Sequence, residues 1–166
     1  PLALEIVKAD CCTLFDASGR EYMDLIGGIS VANTGHRHPK VISAIQTQLD
    51  AYLHVMVYGE FVESPQVQYA QLLTSLLPPS LNAVYFTNSG AEAVEGAMKL
   101  AKRVSNRTQI IAFKNSYHGS TQGALSVMGD EYWRKDFRPL LPDVLHLEFK
   151  SFESLKEITE RTSCVI

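Results

Sequence analysis

Residues 83–103 read AVYFTNSGAEAVEGAMKLAKR: an apolar alternation from Val84 to Phe86 stops at Asn88-Ser89-Gly90, and a helical repeat begins at once. So short a polar corner joins a buried strand directly to a helix, which is the connection of a βα unit. The helix is expected from about Ala91 to Arg103, with Val94, Ala97, Met98 and Ala101 on one stripe. Its acidic residues, Glu92 and Glu95, lie near the start, and Lys99, Lys102 and Arg103 near the end, as the helix dipole prefers.

The pattern then repeats. Ala83–Thr87, Ile110–Phe113, Val144–Phe149 and a run beginning at Cys164 read as strands. Helices are expected at Thr121–Met128 and at Ser151–Arg161, the latter with Phe152, Leu155 and Ile158 inward. Gly129–Pro142 reads as irregular and anchored by Trp133 and Phe137. Strands separated by helices imply a mainly parallel sheet, hence an α/β fold.

Upstream, Thr13 to Leu25 reads as a hairpin turning at Asp16-Ala17-Ser18-Gly19. A glycine-rich stretch, Gly27 to Gly35, follows. Pro39 and Ser64-Pro65 each open a helix. The second of these has an apolar face of Tyr69, Leu72, Leu73 and Leu76 and stops at Pro78-Pro79.

Composition narrows the function. The 166 residues carry a net charge of −3 with the two signs interspersed, which argues against a nucleic-acid partner. No apolar stretch approaches the ~20 residues that span a bilayer, and no secretion signal opens the chain. The 3 cysteines, Cys11, Cys12 and Cys164, are an odd number without a Cys-x-x-Cys, so reduced thiols in the cytoplasm are expected. Asn106-Arg107-Thr108 matches the glycosylation sequon by chance on that reading. The chain starts at Pro1 and stops in what reads as the opening of a strand, which suggests a piece of something longer.

In α/β sheets ligands sit at the carboxyl ends of strands. Two such ends carry unusual loops, Asn88-Ser89-Gly90-Ala91 and Asn115-Ser116-Tyr117-His118-Gly119. The first puts Ser89, Gly90 and Ala91 at a helix N-terminus, where unpaired N–H groups and the dipole suit an anion. Plain N-capping by Ser89 explains the same residues. In the second, Tyr117 can stack on a planar ligand, or it can close the core with His118 bonded to backbone. Neither loop fits a P-loop, a G-x-G-x-x-G turn or a nucleophile elbow. A hydrolase using Ser89 and His118 has no third triad member. His36-Arg37-His38 reads as helix entry, Glu92 and Glu95 as dipole partners or acid–base groups, and Lys114 as a solvated lysine or a Schiff-base amine.

Three blocks, in order, resemble the class III, fold-type I aminotransferases that use pyridoxal 5′-phosphate, among them those acting on ornithine, acetylornithine and 4-aminobutyrate. They are LFDASGREYMDLIGGISVANTGHRHPKVISAIQTQL, YFTNSGAEAVEGAMKLAKR and IIAFKNSYHGSTQGALSVMG. The resemblance implies an N-terminal segment (1–60) followed by most of a three-layer α/β/α large domain (61–166). It implies that Ser89, Gly90 and Ala91 hold the cofactor phosphate, that Tyr117 stacks on the pyridine ring beside His118, and that Ile29 faces the substrate. The partners implied are an amino donor, a 2-oxo acid acceptor and a second subunit, with Val57-Tyr58-Gly59-Glu60 resembling part of the dimer interface. The family's Schiff-base lysine falls beyond residue 166, so no catalytic residue is expected within the chain. Ser120 stands where relatives often have an arginine for the substrate carboxylate, so their substrates do not carry over. A truncated homologue that binds a phosphate ligand or a partner without catalysis is the alternative.

Overall fold

The computed structural model describes residues 3–56 and 59–166. The chain divides into two compact units, Pro1–Tyr69 and Ala70–Ile166.

The first unit opens on an antiparallel meander of β1 (Ile6–Asp10), β2 (Thr13–Asp16) and β3 (Glu21–Met23). The expected hairpin is β2–β3, and Asp16 makes its turn. The Asp16 carboxylate accepts the Ser18 amide (2.9 Å) and hydroxyl (2.6 Å), the Arg20 amide (3.0 Å) and the Tyr22 hydroxyl (2.8 Å). These donors, Ser18 first and Tyr22 next, lower its pKa to about 2. Strand β1 was not expected. Its connection to β2 is the pair Cys11-Cys12, with Cys11 at φ 49, a left-handed turn built without the glycine or asparagine that usually announces one. The glycine-rich stretch holds a four-residue turn, α1 (Gly27–Ser30), and Pro39 opens α2 (Pro39–Ala51) as anticipated.

Helix α3 (Ser64–Ser75) starts at Ser64-Pro65 and ends before the two prolines, and Tyr69 and Leu72 on its expected apolar face, with Leu76 just beyond its end, are exposed. In the second unit three parallel strands line up as β5 (Val144–Leu147), β4 (Gln109–Phe113) and β6 (Thr162–Val165). The fold is α/β with a parallel sheet, as the strand–helix alternation implies. Central β4 is buried on both faces, with Ile110, Ile111 and Ala112 all at 0% exposure, which is why its sequence is a continuous apolar run. Helix α4 (Gly90–Ser105) packs on β6 and on α5 (Gln122–Val127), which packs on β4. Met98 of α4 meets Ile110, Ala112 and Val127 in the core, with Val94, Val144, Cys164 and Ile166 around them. Asn106 of the sequon is the left-handed C-cap of α4 (φ 55), its amide donating to Lys102 O at 3.0 Å.

Three expectations fail. Ala83–Thr87 belongs to neither sheet: alternation makes it extended, but a strand also needs a partner, and none lies among the described residues. The helix expected at Ser151–Arg161 is a single 3-10 turn, Glu153–Glu157, with Phe152 exposed and Leu155 and Ile158 not enclosed. Trp133 and Phe137 are likewise exposed, on a short helix α6 (Glu131–Arg134) and a 3-10 turn. Arg134 anchors that segment instead, donating to His146 and Glu131, while the Leu141 amide donates to the buried Ser126 hydroxyl.

Truncating Met98 should lower the stability of the second unit by about 2–5 kcal/mol, read by denaturant unfolding of Met98→Ala. An unchanged midpoint would mean the core lies elsewhere. The lowered pKa of Asp16 favours its ionised form in the fold. Its stabilisation of the hairpin is therefore present above the ordinary carboxylate value of about 4 and lost as pH falls through about 2. A carboxyl titration by NMR should give that low midpoint for Asp16; one near 4 would contradict the turn described.

Candidate functional site

Helix α4 begins at a corner where some amides are paired and others are not. Ser89 is extended (φ −154, ψ 162) and its hydroxyl accepts the Glu92 amide at 3.2 Å. The Glu92 carboxylate turns back to accept the Asn88 amide at 2.6 Å. The Thr87 hydroxyl donates to Ser89 O, and the Ala93 amide to the same oxygen, at 3.2 and 3.0 Å. The amides of Ser89, Gly90 and Ala91 have no acceptor among the described residues. Capping and anion binding are thus compatible here: Ser89 caps with its side chain and leaves three consecutive N–H groups open at the positive end of the dipole.

The second loop is pressed against this corner. Gly119 is buried at φ +124, and a Cβ on it would stand 2.7 Å from Ala91 Cβ and 3.0 Å from Ala91 Cα. Only glycine allows both that conformation and that approach. Tyr117, 77% exposed, is two peptide units from Gly119, so its Cα is at most ~7.6 Å from the Gly119 Cα. His118 is half-buried, its Nε2 is shielded and has no hydrogen-bond partner among the described residues, and burial pushes its pKa down, so the imidazole is neutral near pH 7.

The same loop is tied from behind. Gly129 donates to Ser116 O at 2.9 Å and accepts from the Asn115 amide at 3.3 Å, and a Cβ there would overlap Phe113 O and Asn115 N. Gly129 was not singled out in the sequence, although a lone glycine straight after a helical run is a signal for close backbone approach.

The remaining candidates lie elsewhere. Lys114 pairs with Glu148 at the surface. His38 precedes α2 as its N-cap residue, while His36 pairs with Asp24 at 2.7 Å. Ile29 is in the first unit, 86% exposed. It sits in a run of four left-handed residues, Gly27, Gly28, Ile29 and Ser30, at φ 55 to 63. Asp24 holds that turn by accepting the Ile26 amide at 3.0 Å and the Gly27 amide at 2.9 Å. The His36 contact first, then these amides, lowers the pKa of Asp24. Of Val57–Glu60, residues 57 and 58 lie outside the described residues, and Gly59 and Glu60 are exposed. Among the described residues no helix is long and apolar enough to cross a membrane.

The start of α4, with three amides open among the described residues, thus meets an aromatic-bearing loop through a glycine. The family model for "Aminotransferase class-III" matches residues 1–166, and the chain belongs to that family. It is 38% identical over 164 residues to the acetylornithine aminotransferase of Methanopyrus kandleri, covering 97% of this chain and 41% of that protein. Among solved structures, the adenosylmethionine-8-amino-7-oxononanoate aminotransferase of Methanocaldococcus jannaschii superposes with a TM-score of 0.89 at 31% identity. That match covers 99% of this chain and 41% of the other. An amine transaminase from an uncultivated Pseudomonas species, solved in its PLP-bound form, gives 0.79 at 26% identity over 88% of this chain and 34% of its own. The chain therefore spans about two fifths of the length of the first of these relatives.

Because Ile29 is exposed, little packing opposes a change there. A β-branched residue in the left-handed region costs about 1–2 kcal/mol, and glycine's extra freedom in the unfolded chain returns up to ~1 kcal/mol of that. Ile29→Gly should stabilise the first unit by about 0.5–1 kcal/mol in thermal unfolding. Destabilisation would mean that the side chain carries packing the fold needs.

Proposed function

We propose that the chain is the phosphate-anchoring part of a pyridoxal 5′-phosphate-dependent aminotransferase that moves an amino group from an amine or ω-amino acid to a 2-oxo acid. The reading is supported by membership of the class-III family, and the observation that carries it is the open corner of α4 with Gly119 seated on Ala91. The donor set fits the group. A phosphate monoester is a dianion with three acceptor oxygens. The amides of Ser89, Gly90 and Ala91 offer it three donors on the positive end of a 16-residue helix. His118 Nε2, neutral and without a partner among the described residues, stands in the adjoining loop, open to a polar group.

On this reading Ser89, Gly90 and Ala91 hold the phosphate, and the Tyr117 ring flanks the pyridine plane, whose face attracts an aromatic neighbour. Bound there, the cofactor supplies an electron sink for bond breaking at the amine-bearing carbon. Burial keeps His118 uncharged, so it adds a hydrogen bond without adding charge. Ile29 is assigned to the substrate side. Ser120 gives the Tyr117–Ser120 loop no cation for a substrate carboxylate, which favours donors that do not need one at that point. The lysine that holds the cofactor covalently and moves the proton is assigned to a part of the protein after residue 166. The working form is assigned as a cytoplasmic homodimer.

The test is an NMR titration of the labelled chain with pyridoxal 5′-phosphate, inorganic phosphate and pyridoxal. The two phosphate-bearing ligands should shift the Ser89, Gly90 and Ala91 amides, and pyridoxal should not. Equal shifts with pyridoxal, or none with any ligand, would overturn the assignment. Residues 1–166 supplied with cofactor, amines and a 2-oxo acid should show no turnover, and measured turnover would place the catalytic amine within this chain.

A further inference from the structure

One carboxylate joins the helix that carries the open amides to the helix that follows the aromatic loop. Glu95 lies one turn beyond Ala91 on α4, so the two share a helix face. Ala91 meets Gly119 on that face. Glu95 Oε1 accepts the Thr121 hydroxyl at 2.6 Å, the Gly123 amide at 2.8 Å and the Ala124 amide at 3.1 Å. Those amides are the unpaired donors of the first turn of α5, so Glu95 caps a helix other than its own. Gly123 is fitted to the contact, since a Cβ there would overlap the Glu95 carboxylate. The Thr121 side chain makes no cap hydrogen bond to α5 itself but points its hydroxyl at Glu95.

The loop Tyr117–Ser120 is consequently held to one face of α4 directly by the Gly119–Ala91 contact, and through the residues that follow it by three hydrogen bonds from Thr121, Gly123 and Ala124 to Glu95. Burial alone would raise the pKa of Glu95. The donors Thr121, Ala124 and Gly123, with the charge of Lys99, outweigh it and leave the pKa lowered, so the group is ionised near pH 7. Hydrogen bonds to an ionised acceptor are about twice as strong as neutral ones.

We propose that Glu95 is a positioning residue of the ligand site: its carboxylate sets the distance between the ring-facing loop, Tyr117 and His118, and the phosphate-facing amides of Ser89–Ala91. The proposal rests on the cofactor reading above. Glu95 does not touch the ligand. It governs how well one rigid ligand reaches both halves of the site at once, so its effect falls on the ring contribution and not on the phosphate contribution.

The experiment separates those contributions. Affinities for inorganic phosphate and for pyridoxal 5′-phosphate are measured by NMR on the full chain and on Glu95→Gln. Thr121→Val, at an exposed position, is the milder second variant. The wild-type ratio of the two affinities reports the ring's share. Glu95→Gln should keep phosphate affinity within about twofold and cut the preference for pyridoxal 5′-phosphate by about three- to tenfold, the size of an aromatic contact. Thr121→Val should move the ratio in the same direction by less. A loss of general stability would lower both affinities together and leave the ratio unchanged. An unchanged ratio in both variants, or an equal loss for both ligands, overturns the positioning role while leaving the cofactor reading intact. A wild-type chain whose Ser89–Ala91 amides respond to neither ligand overturns the cofactor reading, and this role with it.

Discussion

The seating of Gly119 on Ala91 fixes two loops against each other. Each loop alone is ordinary: a capped helix start on one side, a strand end with a tyrosine and a histidine on the other. At 2.7 Å from a notional Cβ to Ala91, the contact admits no other residue without moving a backbone segment. A phosphate binds to N–H groups and a ring binds to a ring. A single ligand carrying both is selected only if the two surfaces stand a fixed distance apart. The buried parallel sheet sets that distance coarsely, because the loop leaves the carboxyl end of its central strand. The glycine contact sets it finely.

Rigidity in the second unit is gained by filling amides. Gly129 ties the loop through Ser116 and Asn115, and Glu95 closes the first turn of α5. The amides of Ser89, Gly90 and Ala91 are left without an acceptor among the described residues, as the first N–H groups of a helix are unless something caps them. The first unit shows the opposite device. There a left-handed turn is kept in an unfavourable conformation by Asp24 and displays an apolar side chain to solvent. Residues held in sparsely populated backbone regions tend to cluster at functional sites, which is consistent with assigning Ile29 to the substrate side.

Much of this was legible in the residues, unevenly. Ile110–Phe113 is a short apolar run of the kind a doubly buried strand carries, and Ser89-Gly90 with Glu92 announces a helix start. Strand β1 was hidden because two cysteines make its turn. Ala83–Thr87 misled because alternation reports extension and not pairing. Ser151–Arg161 misled because helical spacing without a surface to bury against gives only a turn. Each of the two loops could be read by itself, although only the second follows a paired strand. Their contact could not, since no local pattern says which two loops touch. Glu95 was harder still. In sequence it looks like a dipole partner of its own helix, yet its hydrogen-bond donors lie 26 to 29 residues downstream.

The most direct test of the account is a crystal structure of the chain soaked with pyridoxal 5′-phosphate. The account predicts phosphate oxygens about 2.7–3.2 Å from the amide nitrogens of Ser89, Gly90 and Ala91, with the ring beside Tyr117. A phosphate bound elsewhere, with those three amides still open, would contradict it.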